Sequence, residues 1–275
     1  MFYSKKALPT THCQQLPTYG KPLDTTCIVV PTYNNTTTLA QVVADIRAHG
    51  YALMVVNDGS TDSTPQVLEQ LTLQTTALAT QLHIISYPKN RGKGYALRQA
   101  IKQLHALGYH YAITIDADGQ HSAKDILPFI NDIHLHPNAL YIGARGMKHH
   151  NMPTKNSFAN RFSNFWFAVQ TGRFLPDTQS GFRLYPIKKI AKMRFFTRRY
   201  EWEIEVLVRS AWAGIPIIAK PVSVYYPPAE ERVSHFRPGV DFLRISLLNT
   251  FLCFGALLYF YPVSLFRLLF HRSVK

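Results

Sequence analysis

The ten residues YAITIDADGQ, from Tyr111 to Gln120, decide the fold, because an apolar run of strand length ends here in two acids and an amide. The run Tyr111–Ile115 is rich in β-branched and aromatic residues, which is typical of a buried strand. The patterns of Gly92–Leu107 before it and Lys124–His134 after it predict helices. A strand between two helices indicates a βα unit.

Apolar runs of this kind recur along the chain. They end at Val30, Val56, Ile85, Ile115 and Ile142, about 28 residues apart. Repeating βα units of this length predict an α/β fold with a mostly parallel sheet flanked by helices. Ligands of such sheets bind at the carboxyl ends of the strands, near the point where the strand order reverses. The polar residues directly after each run therefore form the candidate site.

The composition is that of a folded, mostly soluble body. Of 275 residues, 47% are hydrophobic and 17% are charged, and the mean hydropathy is -0.08. A chain with this composition is too apolar to be disordered and too polar to be a membrane protein with many spans. Three widely spaced cysteines argue against a disulfide scaffold and indicate a reducing compartment.

Positive charge is concentrated in one part of the chain. The formal net charge is +14, and the segment from Ala144 to Tyr200 has twelve Lys and Arg residues against a single acid, Asp177. A field of this sign attracts nucleic acid, an anionic membrane surface or a phosphorylated substrate, and charge alone leaves all three open.

The two ends of the chain differ from its middle. Residues 1–24 have no apolar core of a signal peptide, and we expect an extended lead-in. Residues 239–275 are expected to anchor the protein to a membrane, because 22 uncharged residues lie between Arg244 and Arg267 and about 20 can cross a bilayer. Basic residues on both sides favour an in-plane or re-entrant anchor over a span. A buried helix or a dimer face is the alternative.

The acids after the Tyr111–Ile115 strand indicate a metal site. Asp116, Asp118 and Gln120 are spaced two residues apart, and carboxylates at the end of a buried strand need a compensating cation. Oxygen ligands favour Mg²⁺ or Mn²⁺, and Mg²⁺ in turn implies phosphates. A solvated turn or a helix cap is the alternative for an isolated motif of this kind.

The residues after two further apolar runs indicate a nucleotide-binding site. Asp58 follows the second apolar run, where an acid commonly accepts hydrogen bonds from a base or a ribose. In Asn90-Arg91-Gly92-Lys93-Gly94 we expect the glycines to bring the backbone close to a ligand. The helix N-terminus and Lys93 would then favour phosphate. Ordinary turns are the alternative for both segments.

Together, the motifs resemble those of the family 2 glycosyltransferases, above all the dolichyl- and polyprenyl-phosphate sugar transferases. The resemblance covers about Thr26 to Pro238. It rests on Pro31-Thr32-Tyr33-Asn34, Asn57-Asp58-Gly59-Ser60, Asn90-Arg91-Gly92-Lys93-Gly94-Tyr95-Ala96, Asp116-Ala117-Asp118-Gly119-Gln120-His121, Gly143-Ala144-Arg145 and Asp177-Thr178-Gln179-Ser180-Gly181-Phe182-Arg183. It implies a GT-A fold, a catalytic domain over residues 25–238, a UDP- or GDP-sugar donor and a divalent metal on its diphosphate.

The resemblance also implies roles for individual residues. The implied donor-binding residues are Pro31, Tyr33, Asn35, Asp58 and Lys93. The implied metal ligands are Asp116, Asp118 and Gln120. The implied catalytic residues are Asp116, Asp118, Arg145 and Asp177. For the acceptor the resemblance implies Arg145, and the further candidates are Lys155, Asn160 and Arg161 of the basic segment, with Gln179, Ser180 and Arg232.

The chain departs from the family pattern at two positions. Asn35 stands where the family often has Glu. The chain has Arg232-Val233-Ser234-His235 where the family tends to have Arg-x-x-Ser-Lys, so we expect His235 or Arg237 to replace that lysine.

Physical chemistry bears on the acceptor. A phosphate monoester is largely anionic at neutral pH and attacks without a base, and it needs cations such as those of the basic segment. We therefore expect an inverting, metal-dependent transfer of one sugar to a lipid-linked phosphate at the cytoplasmic face of the membrane, without nucleic acid. Transfer to a hydroxyl, with Asp177 or Glu203 as the base, is one alternative. A basic protein that binds anionic membranes or nucleic acid is the other.

Overall fold

A computed structural model describes residues 23–75, 81–146, 154–226, 228 and 235–270, without the side chains of residues 74, 75, 154–158 and 238. The predicted lead-in, residues 1–24, lies outside these ranges except for its last two residues.

The predicted α/β fold with a mostly parallel sheet is confirmed. The described strands form one sheet in the order β3-β2-β1-β4-β6-β5-β7, in which β6 runs antiparallel to both of its neighbours. The strands are β1 Thr26–Thr32, β2 Ala52–Asn57, β3 Leu82–Ser86, β4 Tyr111–Thr114, β5 Leu140–Arg145, β6 Arg183–Pro186 and β7 Ile217–Val222.

Helices cover both faces of the sheet. Successive residues of β1 face opposite sides, since Cys27 and Val29 belong to one apolar core and Ile28 and Val30 to the other. A parallel sheet that is buried on both faces accounts for the unbroken apolar runs of the sequence. The helices are α1 Leu39–Ala48, α2 Thr64–Thr75, α3 Lys93–Ala106, α4 Ile126–Asp132, α5 Thr154–Thr171, α6 Ile187–Ile190, α7 Trp202–Trp212, α8 Pro238–Gly255 and α9 Tyr261–Phe270.

The connectivity creates a crevice at one edge of the sheet. The chain passes from β1 to β2 and β3 in one direction, and β4 then lies on the other side of β1. The connections that follow the carboxyl ends of β1 and β4 therefore lead away in opposite directions along the sheet. This is the switch point, where α/β sheets bind their ligands.

A long apolar helix follows the sheet. Helices α8 and α9 are joined by a π-helical turn, Ala256–Phe260, so that Gly239–Phe270 runs as one helix of 32 residues, and its most apolar window of 18 residues has a mean hydropathy of 1.7. By length and composition alone it could cross a membrane, and only 11% of its most apolar window is buried. Its buried face packs against α5 and α7, where the Gln170 side-chain amide donates to the Asn249 side-chain oxygen at 3.0 Å.

Candidate active site

A cavity of about 650 Å³ opens at the switch point, at the carboxyl ends of β1 and β4. Seven of the residues predicted for donor and metal binding line it, which brings together the ends of three strands and the start of α3. These residues are Pro31, Tyr33, Asn35, Asp58, Lys93, Asp116 and Asp118.

Lys93 lies between two carboxylates in this cavity. Its Nζ is 2.7 Å from Asp116 Oδ1 and 3.1 Å from Glu203 Oε1, and its side chain is 16% exposed. Burial by itself would lower the pKa of Lys93, but the charges of Asp116 and Glu203 outweigh burial and raise it. Lys93 is therefore a permanent cation at the cavity wall, and Glu203 is an ion-pair partner. We call these three residues the Lys93 cluster.

The two acids of the DxD motif differ in their protonation. Burial tends to raise the pKa of Asp116, but Lys93 overcomes this effect and holds the pKa below its ordinary value. Burial and the nearby Asp116 charge raise the pKa of Asp118 to about 6. Asp116 is thus a stable anion, whereas Asp118 binds a proton readily when no other cation compensates its charge.

Asp58 joins the end of β2 to the turn before α3. Its two carboxylate oxygens accept the backbone N–H groups of Arg91 at 2.8 Å and Gly92 at 2.7 Å. The Tyr95 N–H donates to the Arg198 carbonyl at 2.7 Å. A Cβ on Gly94 would lie 2.6 Å from the Arg199 carbonyl oxygen.

The glycines of this turn therefore make room for residues 198–202, and several of its N–H groups already have protein partners. This differs from the expected phosphate cradle, in which the same glycines would have approached a ligand. The reason is a long-range packing contact, which no local pattern reveals.

The donor set fits a hard divalent cation. Asp116 and Asp118 both line the cavity, whereas Gln120 lies beside it and donates its backbone N–H to Asp118 Oδ1 at 3.0 Å. Within the described ranges, no group of three or more His, Cys, Asp or Glu side chains could share one metal ion. A metal here would have few protein ligands and would complete its shell with water and substrate oxygens, as Mg²⁺ commonly does. A carboxylate at a metal site has a raised pKa when no cation compensates its charge, and the pKa of Asp118 is raised in this way.

A second ion pair lies at the end of β5. Arg145 Nε donates to Asp177 Oδ2 at 2.6 Å and Arg145 Nη2 donates to Asp177 Oδ1 at 2.9 Å. Asp177 is fully buried, and Arg145 is 17% exposed. Burial would lower the pKa of Arg145, but Asp177 raises it. This two-residue Arg145 pair fixes one guanidinium at the edge of the site.

The loop that carries Asp177 abuts the DxD motif. A Cβ on Gly181 would lie 2.4 Å from Asp116 Oδ2, so only glycine lets this loop approach the carboxylate. The fully buried Arg183 donates from its guanidinium to the carbonyls of Thr178 at 3.0 Å and Ser180 at 2.7 Å and to that of Glu203. Arg183 therefore ties this loop to α7, which carries part of the Lys93 cluster.

Four of the predicted acceptor residues, Asn160, Arg161, Gln179 and Ser180, lie outside the cavity, on α5 and the neighbouring loop. Asn160 and Ser180 are buried, Arg161 is exposed, and Gln179 donates from its side chain to the Ala159 carbonyl at 3.3 Å. The loop and α5 are further joined by Thr178 and Asn164. Arg232 and the side chain of Lys155 lie outside the described residues.

Several cavity residues had no predicted role. The Tyr33 and His235 rings meet edge to face with centroids 5.2 Å apart, and the Tyr200 and Phe236 rings do so at 5.7 Å. His235 and Arg237, expected to replace the family lysine, do line the cavity. The residues without a predicted role are Asn90, Arg199, Tyr200, Phe236 and Asp241. Asn90 belonged to a recognised motif, but the others come from distant segments without a local signal.

Comparisons with known proteins agree with this geometry. The sequence model described as glycosyl transferase family 2 matches residues 27–195. The chain is 26% identical over 213 residues to a UDP-N-acetylglucosamine–dolichyl-phosphate N-acetylglucosaminyltransferase of Methanococcus voltae, covering 72% of this chain and 85% of the relative. It is 24% identical over 217 residues to a polyprenol monophosphomannose synthase of Mycolicibacterium smegmatis, covering 75% and 80%.

The fold is also that of solved structures. Glucosyl-3-phosphoglycerate synthase from Mycobacterium tuberculosis, crystallised with Mn²⁺, UDP and glucosyl-3-phosphoglycerate, aligns with a TM-score of 0.58 and 16% identity. The alignment covers 83% of this chain and 80% of the synthase. At this identity the likeness establishes the fold and no more.

Proposed function

Since the chain belongs to glycosyl transferase family 2, we propose that it moves one sugar from a UDP- or GDP-sugar to a lipid-linked phosphate, with inversion and with Mg²⁺ or Mn²⁺ bound. The observation that carries this proposal is the cavity at the switch point, where Asp58, Lys93, Asp116 and Asp118 converge. The relatives from M. voltae and M. smegmatis, which are named for dolichyl-phosphate and polyprenol chemistry, support the acceptor class.

The nucleoside of the donor is proposed to lie against Pro31, Tyr33 and Asp58. Each carboxylate oxygen of Asp58 already accepts one backbone N–H, and each has a further lone pair to offer. Because both bonds fix the carboxylate rigidly, Asp58 would present those lone pairs to a base or a ribose without a loss of side-chain freedom.

The diphosphate is proposed to lie on the side of the acids. A bound Mg²⁺ or Mn²⁺ would neutralise charge on the leaving diphosphate. Asp116 is already paired with Lys93, so Asp118 has the carboxylate whose charge a metal would compensate, with Asp116 close by. Lys93 keeps Asp116 ionised and adds a fixed positive charge at the same wall of the cavity.

The two ion pairs favour a phosphate acceptor over a hydroxyl. A hydroxyl must lose a proton as it attacks, so it needs a carboxylate base that can accept one. Asp177 is fully buried and has both oxygens bonded to Arg145, and Glu203 is paired with Lys93. A phosphate monoester is already largely anionic at pH 7 and requires no base. The orienting cation for it is proposed to be Arg145, held by Asp177.

We also propose that the apolar helix lies in the plane of the membrane. Its buried face is fixed to the catalytic body, where Tyr261 donates its hydroxyl to the Val169 carbonyl at 2.6 Å and the Trp212 and Phe260 rings stack at 5.9 Å. Phe251 and Leu258 on the same helix are each 74% exposed. A helix that crossed the bilayer would carry the attached charged surface of α5 and α7 into hydrocarbon, which is costly. An in-plane helix buries its apolar side and leaves the body in water.

The test is binding followed by transfer. Thermal unfolding with UDP, GDP and their sugars, with and without Mn²⁺, should show a metal-dependent shift with one nucleotide, about 2.7 kcal/mol at a hundredfold excess over its Kd. Labelled sugar should then appear on polyprenyl phosphate. Asp118→Asn should abolish transfer, whereas Asp132→Asn, which changes a surface carboxylate paired with Lys220, should not. No shift with any nucleotide, or full transfer by Asp118→Asn, would refute the proposal.

A further inference from the structure

A second cavity, of about 530 Å³, adjoins the first, and four of its eight lining residues are arginines. Arg91, Arg198, Arg199 and Arg244 face it, against the single carboxylate of Glu201. Arg199 lines both cavities. Such a concentration of guanidinium groups around an open cavity attracts an anion.

The partners of these arginines leave the cavity positive. Arg199 Nη1 donates to the neutral Asn90 amide at 3.3 Å. Among the described residues, the buried Glu201 carboxylate accepts one hydrogen bond, from the Arg199 backbone N–H at 3.4 Å. Arg244 is 3.3 Å from Asp241, and Arg198 is exposed. One anion that accepts from several guanidinium groups would satisfy this arrangement.

The cavity wall is fixed before any ligand arrives. Glu205 is fully buried, and its carboxylate accepts the N–H groups of Phe196 and Thr197 and, at 2.6 Å, the Thr197 hydroxyl. The Arg198 carbonyl accepts the Tyr95 N–H on the other side. Residues 196–198 are therefore held at both ends, which lowers the entropic cost of binding.

Exposed apolar side chains border the arginines. Phe196 is 79% exposed although it lies at the cavity. On α8, Val240 and Leu247 lie four residues before and three residues after Arg244, hence on the same helix face, and are 47% and 53% exposed. Neither feature serves a small anion in water, but both suit a ligand that joins a phosphate to hydrocarbon.

We infer that this second cavity binds the phosphate headgroup of an anionic phospholipid, with the acyl chains along the exposed face of α8. The inference rests on the proposed in-plane position of α8 and adds a lipid site that is separate from the donor cavity and from the Arg145 pair. It places the arginine cavity at the level of the headgroups, where arginine side chains extend from an apolar surface. The lipid would then orient the open side of the catalytic cavity relative to the membrane.

The test is the partition of the full chain, without nucleotide, onto vesicles of phosphatidylcholine with and without phosphatidylglycerol. Each basic residue near an anionic surface contributes about a fivefold increase in partition, so Arg198→Gln with Arg244→Gln should lower binding to the anionic vesicles by tenfold or more. The matched control, Lys188→Gln with Lys189→Gln, removes two exposed charges of the basic segment outside this cavity and should lower binding less than about threefold. Thermal unfolding of both double variants checks that they fold.

Three outcomes would overturn the inference. Equal losses in the two double variants would mean diffuse attraction to the basic surface. Displacement of the protein from vesicles by inorganic phosphate would indicate a site for a free anion. Loss of binding to a single-stranded oligonucleotide, with vesicle binding kept, would assign the arginines to nucleic acid. Because no nucleotide is present, all three outcomes are independent of the sugar transfer itself.

Discussion

The Lys93 cluster and the Arg145 pair both contain ion pairs, but the cation is the shared partner in the first and the carboxylate is the orienting partner in the second. In the Lys93 cluster one cation lies between two carboxylates, and the cation keeps Asp116 ionised. In the Arg145 pair a fully buried carboxylate uses both oxygens on one guanidinium, so the acid orients the cation. The comparison teaches that the most exposed member of each group is the one with a proposed ligand: Asp116 for a metal in the first, and Arg145 for an anionic acceptor in the second.

Removing the buried acid of the Arg145 pair should have the largest effect. Asp177→Ala leaves a mostly buried guanidinium without its partner, and breaking a buried pair costs about 3–5 kcal/mol in the free energy of unfolding. Asp132→Ala, which breaks the surface pair with Lys220, should cost at most about 1 kcal/mol. Urea unfolding of both variants measures the difference, and equal costs would remove the distinction between the two pairs.

Removing the cation of the Lys93 cluster should act mainly on turnover. Lys93→Met leaves Asp116 and Glu203 without their shared partner, and loss of one electrostatic stabiliser typically lowers kcat about 10²–10³-fold. Lys220→Met removes a surface lysine with one carboxylate partner and serves as the control. Steady-state sugar-transfer rates of the two variants test this prediction. A decrease in kcat of less than tenfold in Lys93→Met would contradict the role assigned to Lys93.

The raised pKa of Asp118 gives the site a pH dependence with a known sign. A cation must displace the proton, so Mn²⁺-dependent nucleotide binding should weaken about tenfold per unit as the pH falls below about 6. Because this pKa lies above its value in the unfolded chain, the metal-free protein should instead gain stability as the pH falls from about 6 towards 4. Titration calorimetry and thermal unfolding across this range measure the two slopes.

The control for both slopes is Asp118→Asn, which cannot titrate and should flatten them. The same variant should unfold at a higher temperature than the wild type at pH 7 without metal, since it removes a half-buried charge next to the Asp116 charge. Slopes that survive the substitution would assign the titration to another group.

The smallest effect should come from Glu203→Gln. The amide oxygen can still accept a hydrogen bond from Lys93, so only the charge is lost, at about 1 kcal/mol or fivefold in rate. A general base would behave differently, because its removal costs about 10²–10⁴-fold. Transfer rates across pH therefore separate an ion-pair partner from a base, and a loss of that larger size would revive a hydroxyl acceptor.

Local patterns were enough to predict the core of the fold and one side of the site. The β3 strand ends within one residue of Ile85, the end of its apolar run, and Asp58 and Asp118 lie in the cavity because strand ends converge at a switch point. The β7 strand has no such pattern, because Lys220 and Pro221 interrupt it as they commonly do at a sheet edge.

The rest of the site depends on contacts between distant segments. Gly94 was expected to approach a ligand, but it packs against Trp202, which the sequence near Gly94 does not reveal. Arg199 and Asp241 reach the cavity only because their segments fold back over α3 and the DxD motif. Their positions depend on tertiary packing and therefore cannot be predicted from single motifs.

The placement of Asp241 has a consequence for biosynthesis. Asn90 and Arg199 meet across 109 positions of the chain, and the first turn of α8 adds Asp241 to the wall of the same cavity. Contacts of such long range form late, after the segments that make them have been synthesised. We therefore expect the proposed donor cavity to be complete only after the first turn of the apolar helix has been synthesised. The proposed binding of the donor and the proposed attachment to the membrane would then become possible at the same stage of synthesis.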